Sequence, residues 1–315
     1  MPATKWLADP MCQDFWFESK GGGSLHGCRW EPEGAPKAVV QIVHGIRDYG
    51  ARYDGIASFL AAHGYLVVAE DHMGHGQSIS EKIPRGFFNG GWFTAVDDTY
   101  QLMKDTMAEF PGVPYVLLGH SMGSFMARTI LARYPDSGIS AAIICGTAWM
   151  NSTVVAAGRM IAHLVCTARG EQYPSKLLCT LSLDSYNRGV KHPRTPYDWI
   201  SRDKKTVDTY AADPLCTFIP TAGLMRDLLT GVLYIHDQKN LRSMKKDIPV
   251  FFIAGGDDAV GDFGAGVEKA AAVFRNLGME KVDLRIWPPC RHEIFNEINR
   301  AEVYDAVYHW IEKVT

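Results

Sequence analysis

The chain has 315 residues, of which 47% are hydrophobic, so it can bury a large core as one α/β domain or as a domain with an insertion. Its 32 Lys and Arg residues nearly balance 35 Asp and Glu residues, and no basic stripe occurs, so no nucleic-acid partner is predicted. No segment reaches the roughly 18 consecutive apolar residues that a membrane-spanning helix needs.

The start of the chain and its cysteines bear on the cell compartment. Residues 1–14 contain no apolar run flanked by basic residues, so no secretory signal is predicted. The cysteines are odd in number, scattered and without a CxxC pair, which indicates reduced thiols in a cytoplasmic protein. They are Cys12, Cys28, Cys145, Cys166, Cys179, Cys216 and Cys290.

The first half of the chain alternates between strand patterns and helix patterns. Strands are predicted at residues 15–18, 25–30, 38–43, 65–69, 115–118 and 141–145. The run at 38–43 is apolar except for Gln41, as expected for a strand buried on both faces. Helices are predicted at residues 53–63, 92–110 and 122–134, where apolar side chains recur at helical spacing. This alternation indicates a parallel sheet with helices on both faces.

The alternation stops between residues 147 and 246 and then resumes. This stretch contains polar loops and two apolar helical patterns. The first is Ala157, Ile161, Leu164 and Val165, and the second is Leu224, Leu228, Val232 and Ile235. Further strands are predicted at residues 250–254 and 284–287. The predicted organisation is an α/β core at residues 1–146 and 247–315, with an inserted helical cap at residues 147–246.

The strongest chemical signal is a GxSxG motif between a predicted strand and a predicted helix. It reads Gly119-His120-Ser121-Met122-Gly123. A strand that turns directly into a helix holds the serine in a strained conformation, so the residues two before and two after it must be small. The serine oxygen then projects at the carboxyl edge of the sheet, where open α/β sheets bind ligands. Ser121 is therefore the predicted nucleophile.

A serine hydroxyl is a weak nucleophile without a base, so the motif requires a histidine and a carboxylate that orients it. In sites built on this motif the acid and then the histidine follow the serine, each after a later strand. His292 follows the strand at 284–287 and is the predicted base, whereas His236 lies in the predicted cap and His309 within the last helix. Three carboxylates after the strand at 250–254 stay open as the acid: Asp257, Asp258 and Asp262.

An oxyanion hole needs two backbone N–H groups aimed at the negative charge that develops on the substrate oxygen. One is predicted from Met122, directly after the nucleophile. The other is predicted from Ile46, in the loop that follows the strand at 38–43 and begins His44-Gly45. Glycine there lets the backbone approach the substrate closely.

Taken together, these motifs resemble the monoacylglycerol lipase and lysophospholipase branch of the α/β-hydrolases over about residues 35–312. The matching segments are HG at 44–45, DHMGHGQS at 71–78, GHSMG at 119–123, DPLC at 213–216, DAV at 258–260 and RHE at 291–293. Two positions depart from the family pattern, because Met73 stands where the family often has Arg and Ala259 where it has Pro. The resemblance favours Asp258 over Asp257 as the acid.

The resemblance implies an α/β-hydrolase fold, with a mostly parallel eight-stranded sheet flanked by helices and the cap inserted after strand 6. It implies a serine carboxylic ester hydrolase that forms an acyl-enzyme and needs no metal or cofactor. Its catalytic residues would be Ser121, Asp258 and His292, with Ile46 and Met122 at the oxyanion hole. The implied substrates are monoacylglycerols, lysophospholipids or other small-molecule or lipid esters with one acyl chain.

Other interpretations stay open. A peptidase of the proline-iminopeptidase type shares the fold, and a non-catalytic ligand-binding member would keep the fold without the chemistry. The spacing of Asp71, His72 and His75 allows metal binding, but no further ligand completes a site, so no metal is predicted. The apolar cap helices fit packing, an acyl tunnel or transient contact with a membrane surface equally well. The sequence does not indicate an oligomeric state.

Overall fold

The computed structural model describes residues 12–315, without the side chain of Arg188. The predicted lack of a secretory signal concerns a segment that lies almost wholly outside this range. The described chain contains eight strands in one sheet. They are β1 (Gln13–Glu18), β2 (Ser24–Trp30), β3 (Val39–Val43), β4 (Leu66–Glu70), β5 (Tyr115–His120), β6 (Ala141–Cys145), β7 (Val250–Gly255) and β8 (Val282–Trp287).

The strand order is β1-β2-β4-β3-β5-β6-β7-β8. The hairpin of β1 and β2 pairs antiparallel with β4, and the six strands from β3 to β8 run parallel. The predicted mostly parallel, eight-stranded sheet is confirmed. Since parallel strands end at one edge, the loops after β3, β5, β7 and β8 are brought together there.

Ten α-helices lie in the described part of the chain. They are α1 (Asp54–Ala62), α2 (Gly91–Glu109), α3 (Met122–Arg133), α4 (Ser152–Arg169), α5 (Lys176–Leu181), α6 (Lys204–Ala212), α7 (Ala222–His236), α8 (Gln238–Leu241), α9 (Ala265–Asn276) and α10 (Arg300–Val314). Short 3-10 turns occur at Gly50–Tyr53, Leu183–Gly189 and Ile294–Asn296.

Two hydrophobic cores cover the two faces of the sheet, as the continuous apolar strands predicted. Successive residues of a strand point to opposite faces, so Val39 and Val43 of β3 join the core with α2, α3 and α9, while Val40 and Ile42 join the core with α1 and α10. The polar Gln41 in the same run is buried, and its amide donates to a carboxylate and to a backbone carbonyl.

The segment between β6 and β7 carries the five helices α4 to α8. Its two apolar patterns, which look alike in sequence, differ in the structure. Leu228 and Val232 on α7 are buried in the core beside α2 and α3, whereas Ile161 and Leu164 on α4 are 42% and 59% exposed. The treatment of residues 147–246 as a separate cap stays a prediction. None of the helices described here is long and apolar enough to cross a membrane.

Candidate active site

The turn between β5 and α3 places Ser121 at the carboxyl edge of the sheet. Ser121 has a φ of 55°, in the left-handed region that residues other than glycine rarely adopt, and its N–H donates to the carbonyl oxygen of Cys145 at 3.0 Å. A Cβ on Gly119 would lie 2.3 Å from the Gly123 carbonyl oxygen, and a Cβ on Gly123 would lie 1.9 Å from the Val43 carbonyl oxygen. Both positions therefore require glycine, which is the steric reason for the motif.

His292 and Asp258 lie at the same sheet edge, in the loops after β8 and β7. The Nδ1 atom of His292 lies 2.9 Å from Oδ2 of Asp258. The other carboxylate oxygen of Asp258 accepts from the Val260 N–H at 2.9 Å. Because an ionised carboxylate only accepts hydrogen bonds, Nδ1 carries the proton and Nε2 is left as the basic nitrogen.

Burial and charge act in opposite directions on His292. Burial alone lowers the pKa of the imidazole, but the Asp258 carboxylate, followed by Glu293 and Asp48, raises it above its ordinary value. The negative groups therefore stabilise the imidazolium that a general base becomes when it takes a proton.

Burial distinguishes the three carboxylates that the sequence left open. Asp258 is fully buried and holds His292. Asp257 and Asp262 are both exposed. Only the acid favoured by the family resemblance is therefore in contact with the predicted base.

The other two histidines considered as the base lie elsewhere. His236 ends α7 and stacks on Trp149 with ring centroids 4.4 Å apart. Burial, with a smaller contribution from the Arg128 charge, lowers the pKa of His236 to about 4. His309 is exposed on α10. Neither histidine lines the cavity that contains Ser121.

The loop after β3 brings Ile46 to the same cavity as Met122. A Cβ on Gly45 would lie 3.0 Å from the Cβ of Ser121, so the backbone passes very close to the nucleophile. Within residues 12–315, neither the Ile46 N–H nor the Met122 N–H donates to a protein acceptor. Both N–H groups are therefore free of a protein acceptor, and their role as oxyanion donors stays a prediction.

His44 fixes the shape of this loop. Its Nδ1 lies 2.7 Å from the Gly45 carbonyl oxygen, and its Nε2 accepts from the His72 N–H at 2.9 Å. Burial, together with the neighbouring His72 and His75 rings, holds the pKa of His44 well below its usual value. The ring is therefore neutral, as one donated and one accepted hydrogen bond require.

A cavity of about 110 Å³ contains Ser121 and His292. Its lining combines apolar side chains with hydroxyl and carboxylate side chains. The apolar residues include Phe125, Met150, Met225, Leu228, Leu229, Val232 and Val260. The polar residues include Asp48, Ser182, Tyr186, Tyr210 and Glu293. This mixed lining suits a ligand that has both an apolar chain and a polar group.

The sequence did not predict that two of these polar residues, Asp48 and Glu293, belong to the site. Both bind Arg52, with shortest contacts of 2.7 Å each. Glu293 directly follows His292, which is the one local signal that the sequence offers. No spacing rule joins Arg52 to a residue 241 positions away.

The potential metal ligands lie apart from this cavity. One ring nitrogen of each histidine, Nε2 of His72 and Nδ1 of His75, lies 3.1 Å from a backbone carbonyl oxygen, that of His44 and that of Met73 respectively. The other ring nitrogen of His72 lies 3.2 Å from the Glu70 carboxylate. In the described chain the one group of suitable geometry is Cys12, Asp14 and Cys28 at the β1–β2 hairpin, with ligand atoms within 4.8 Å of one another.

The chain matches known proteins along most of its length. The family model described as "Serine aminopeptidase, S33" matches residues 34–299. A monoacylglycerol lipase of Mycolicibacterium smegmatis is 28% identical over 295 residues, covering 94% of this chain and 95% of that protein. A monoglyceride lipase of Rattus norvegicus is 32% identical over 287 residues, covering 90% of this chain and 84% of that protein.

A solved structure shows the same architecture. A highly thermostable carboxyl esterase from Bacillus coagulans, in complex with glycerol, superposes with a TM-score of 0.89 and 27% identity, covering 96% of this chain and 98% of that one. These relatives are lipases and esterases by name, so this chain is a hydrolase with a lipase or esterase function. The chain belongs to the monoacylglycerol lipase family of the α/β-hydrolases.

Proposed function

We propose that the chain is a serine carboxylic ester hydrolase that acts on lipid or small-molecule esters with one acyl chain. One observation carries this proposal. Ser121, at its strained turn, lines the same apolar-walled cavity as His292, and His292 is bonded to the buried Asp258. This is the set of groups that acyl transfer to a serine requires.

In the proposed mechanism Ser121 Oγ attacks the ester carbonyl carbon while His292 Nε2 takes the hydroxyl proton. The Ile46 and Met122 N–H groups bind the oxygen that becomes negative, and Asp258 holds the imidazolium. The tetrahedral intermediate then expels the alcohol, which receives the proton from His292. Water, deprotonated by His292, attacks the carbonyl carbon of the resulting acyl-serine. The bond between this carbon and Ser121 Oγ then breaks, His292 returns the proton to Oγ, and the carboxylic acid leaves.

The lining of the cavity favours recognition of an acyl chain over recognition of a substrate amine. A serine aminopeptidase needs an unpaired carboxylate for the substrate ammonium group. The two carboxylates that line the cavity, Asp48 and Glu293, are both held by Arg52. The apolar wall of Leu228 and Val232 suits a hydrocarbon chain. The proline-iminopeptidase alternative is therefore less well supported.

A substrate panel tests the proposed class. We expect the purified protein to hydrolyse p-nitrophenyl esters, with kcat/KM rising as the acyl chain lengthens, because each added buried CH2 contributes about 0.8 kcal/mol. Prolyl p-nitroanilide should give no turnover above the Ser121→Ala background. Faster cleavage of the prolyl amide than of every ester would establish the peptidase alternative instead.

We also propose that the exposed apolar side chains of α4 and α5 contact a lipid surface transiently. Val154, Ile161 and Leu164 recur at helical spacing on α4, and Leu177 and Leu181 lie on α5. Each of them is at least 42% exposed. Exposed apolar side chains that recur along one helix, as they do on α4, favour contact with a protein or a membrane surface. The cytoplasmic location predicted from the cysteines stays a prediction.

Vesicle binding tests this surface. We expect the double variant Ile161→Ser/Leu164→Ser to co-sediment with phosphatidylcholine vesicles about tenfold less than wild type. The reason is that two aliphatic side chains that would be buried in the lipid are lost. Hydrolysis of a short soluble ester should be unchanged, since neither side chain lines the cavity. Wild-type protein that stays in the supernatant at every vesicle concentration would contradict the proposal.

A further inference from the structure

A buried group of three charged side chains lies beside the candidate active site. Arg52 donates through Nη1 to Asp48 Oδ1 at 2.7 Å and to Glu293 Oε1 at 2.9 Å, and through Nη2 to Glu293 Oε2 at 2.7 Å. The side chains of Asp48 and Glu293 are each 6% exposed, and that of Arg52 is 10% exposed. We call these three residues the Arg52 triad.

The Arg52 triad joins two loops of the site that are far apart in sequence. Asp48 lies in the loop after β3, two residues beyond Ile46, and Arg52 lies in the turn Gly50–Tyr53. Glu293 directly follows His292 in the loop after β8. The two-pronged bond to Glu293 fixes both the distance and the orientation of that carboxylate. The Arg52 triad therefore connects the loop of the proposed oxyanion donor to the loop of the proposed base.

A second connection runs through buried hydroxyl and imidazole groups. The Tyr53 hydroxyl donates to Asp48 Oδ2 at 2.8 Å and lies 2.7 Å from His120 Nδ1. His120 Nε2 lies 3.2 Å from the backbone carbonyl oxygen of His292. His120, the residue before the nucleophile, thus contacts the backbone of the histidine loop. The Arg52 triad is connected to this loop directly, through Glu293, and indirectly, through Tyr53 and His120.

The charge around His292 is set by few groups. Burial raises the pKa of Tyr186 to about 12 and lowers that of His120 to about 4, so both are uncharged near neutral pH. Arg291 donates to backbone carbonyls outside the cavity. Among residues 12–315, the titratable and charged groups around His292 are Asp258 after β7, Asp48 and Arg52 after β3, His120 on β5, Tyr186 in the turn Leu183–Gly189, Tyr210 on α6, and Arg291 and Glu293 on its own loop. Burial holds the pKa of Tyr210 well above its ordinary value, so this hydroxyl is uncharged as well. The Arg52 triad contributes one net negative charge to this set.

Resting on the proposed function, we propose that Asp48, Arg52 and Glu293 are positioning residues for His292. They hold its loop against the oxyanion loop and fix one net negative charge beside the imidazole. Burying three charged groups is expensive compared with apolar packing. The three charged groups lie between the loop of Ile46 and the loop of His292, where they can act on the reaction as well as on stability.

The proposal fixes the direction of a pH effect. His292 acts as a base only when neutral, so kcat/KM falls as the pH drops through its pKa. A carboxylate nearby stabilises the imidazolium and raises this pKa. Removing the charge of Glu293 or of Asp48 must therefore lower the pKa of His292 and move the acid limb of the pH profile to lower pH.

The test is the pH dependence of kcat/KM for a p-nitrophenyl ester. We expect Glu293→Gln to move the acid limb down by about 0.5–1 pH unit, the size expected for one charge at short range in a partly buried site. Glu109→Gln is the matched control. Glu109, at the end of α2, accepts a similar two-pronged bond from Arg29 at 3.0 and 2.7 Å, but it does not line the cavity of His292. Its acid limb should coincide with that of wild type.

Arg52→Lys separates charge from position. Lysine keeps the positive charge but cannot make the two-pronged bond. We expect its acid limb to stay within about 0.2 pH unit of wild type, while kcat falls about five- to tenfold because the histidine loop is held less firmly. If Glu293→Gln does not fold, as judged by circular dichroism, Asp48→Asn applies the same charge test from the other loop.

An acid limb that stays in place, or moves to higher pH, in a folded Glu293→Gln or Asp48→Asn variant would overturn the proposal. Failure of the proposed function is distinguishable from this result. If wild-type protein hydrolyses no ester, the pKa of His292 is measured by NMR titration in wild type and Glu293→Gln. The proposal for the Arg52 triad is then supported if the variant lowers the pKa of His292, and it is contradicted if the variant does not.

Discussion

We expect Ser121→Ala to lower kcat for ester hydrolysis by about 10⁴-fold or more. The hydroxyl is the atom that forms the acyl-enzyme, and alanine leaves no substitute at the strained turn between β5 and α3. The oxyanion donors and the cavity remain, so a residual rate above the uncatalysed reaction should persist. The measurement is turnover of a p-nitrophenyl ester by both proteins at equal concentration.

Ser152→Ala is the control for this substitution. Ser152 is an exposed serine at the start of α4, and it does not line the cavity. Its variant should retain wild-type turnover. A loss of less than tenfold in Ser121→Ala would mean that another group attacks the ester.

The second large effect concerns the acid. We expect Asp258→Asn to lower kcat by about 10³–10⁴-fold, because an amide in place of the carboxylate no longer holds the proton on Nδ1 of His292 and no longer stabilises the imidazolium. Asp257→Asn changes the adjacent exposed carboxylate and should stay within about twofold of wild type. Steady-state kinetics of the two variants, side by side, decide between the positions. A larger loss in Asp257→Asn would move the acid by one residue.

The parts of the site that follow from local sterics were predictable from sequence. A Cβ on Gly119 would meet the backbone of Gly123 inside the motif, whereas a Cβ on Gly123 would meet the Val43 carbonyl oxygen on the neighbouring strand β3. The need for glycine at 119 is therefore local to the motif, and the need for glycine at 123 comes from the parallel sheet in which the motif occurs. The buried strands were predictable from sequence because a run such as 39–43, apolar except for Gln41, is typical of a strand with both faces covered. The predicted strand ends differ from the observed ones by up to two residues, because pairing partners decide where a strand stops.

Other features depend on contacts that local patterns do not encode. Asp257 and Asp258 are neighbours of the same chemical type, and the three-dimensional packing decides which one is buried. The apolar patterns on α4 and α7 have the same periodicity, but one faces outward and the other enters the core. The bond from Arg52 to Glu293 spans 241 residues. In each case the deciding contact comes from a distant element of the chain.

Labelling with a fluorophosphonate shows most directly whether Ser121 is an activated nucleophile. The probe reacts with a serine oxygen only where a neighbouring base activates it. We expect one phosphonyl group per wild-type chain, located on Ser121 by peptide mass spectrometry, and none on folded Ser121→Ala. Folded wild-type protein that stays unlabelled, or that carries the label on another residue, would contradict this role of Ser121.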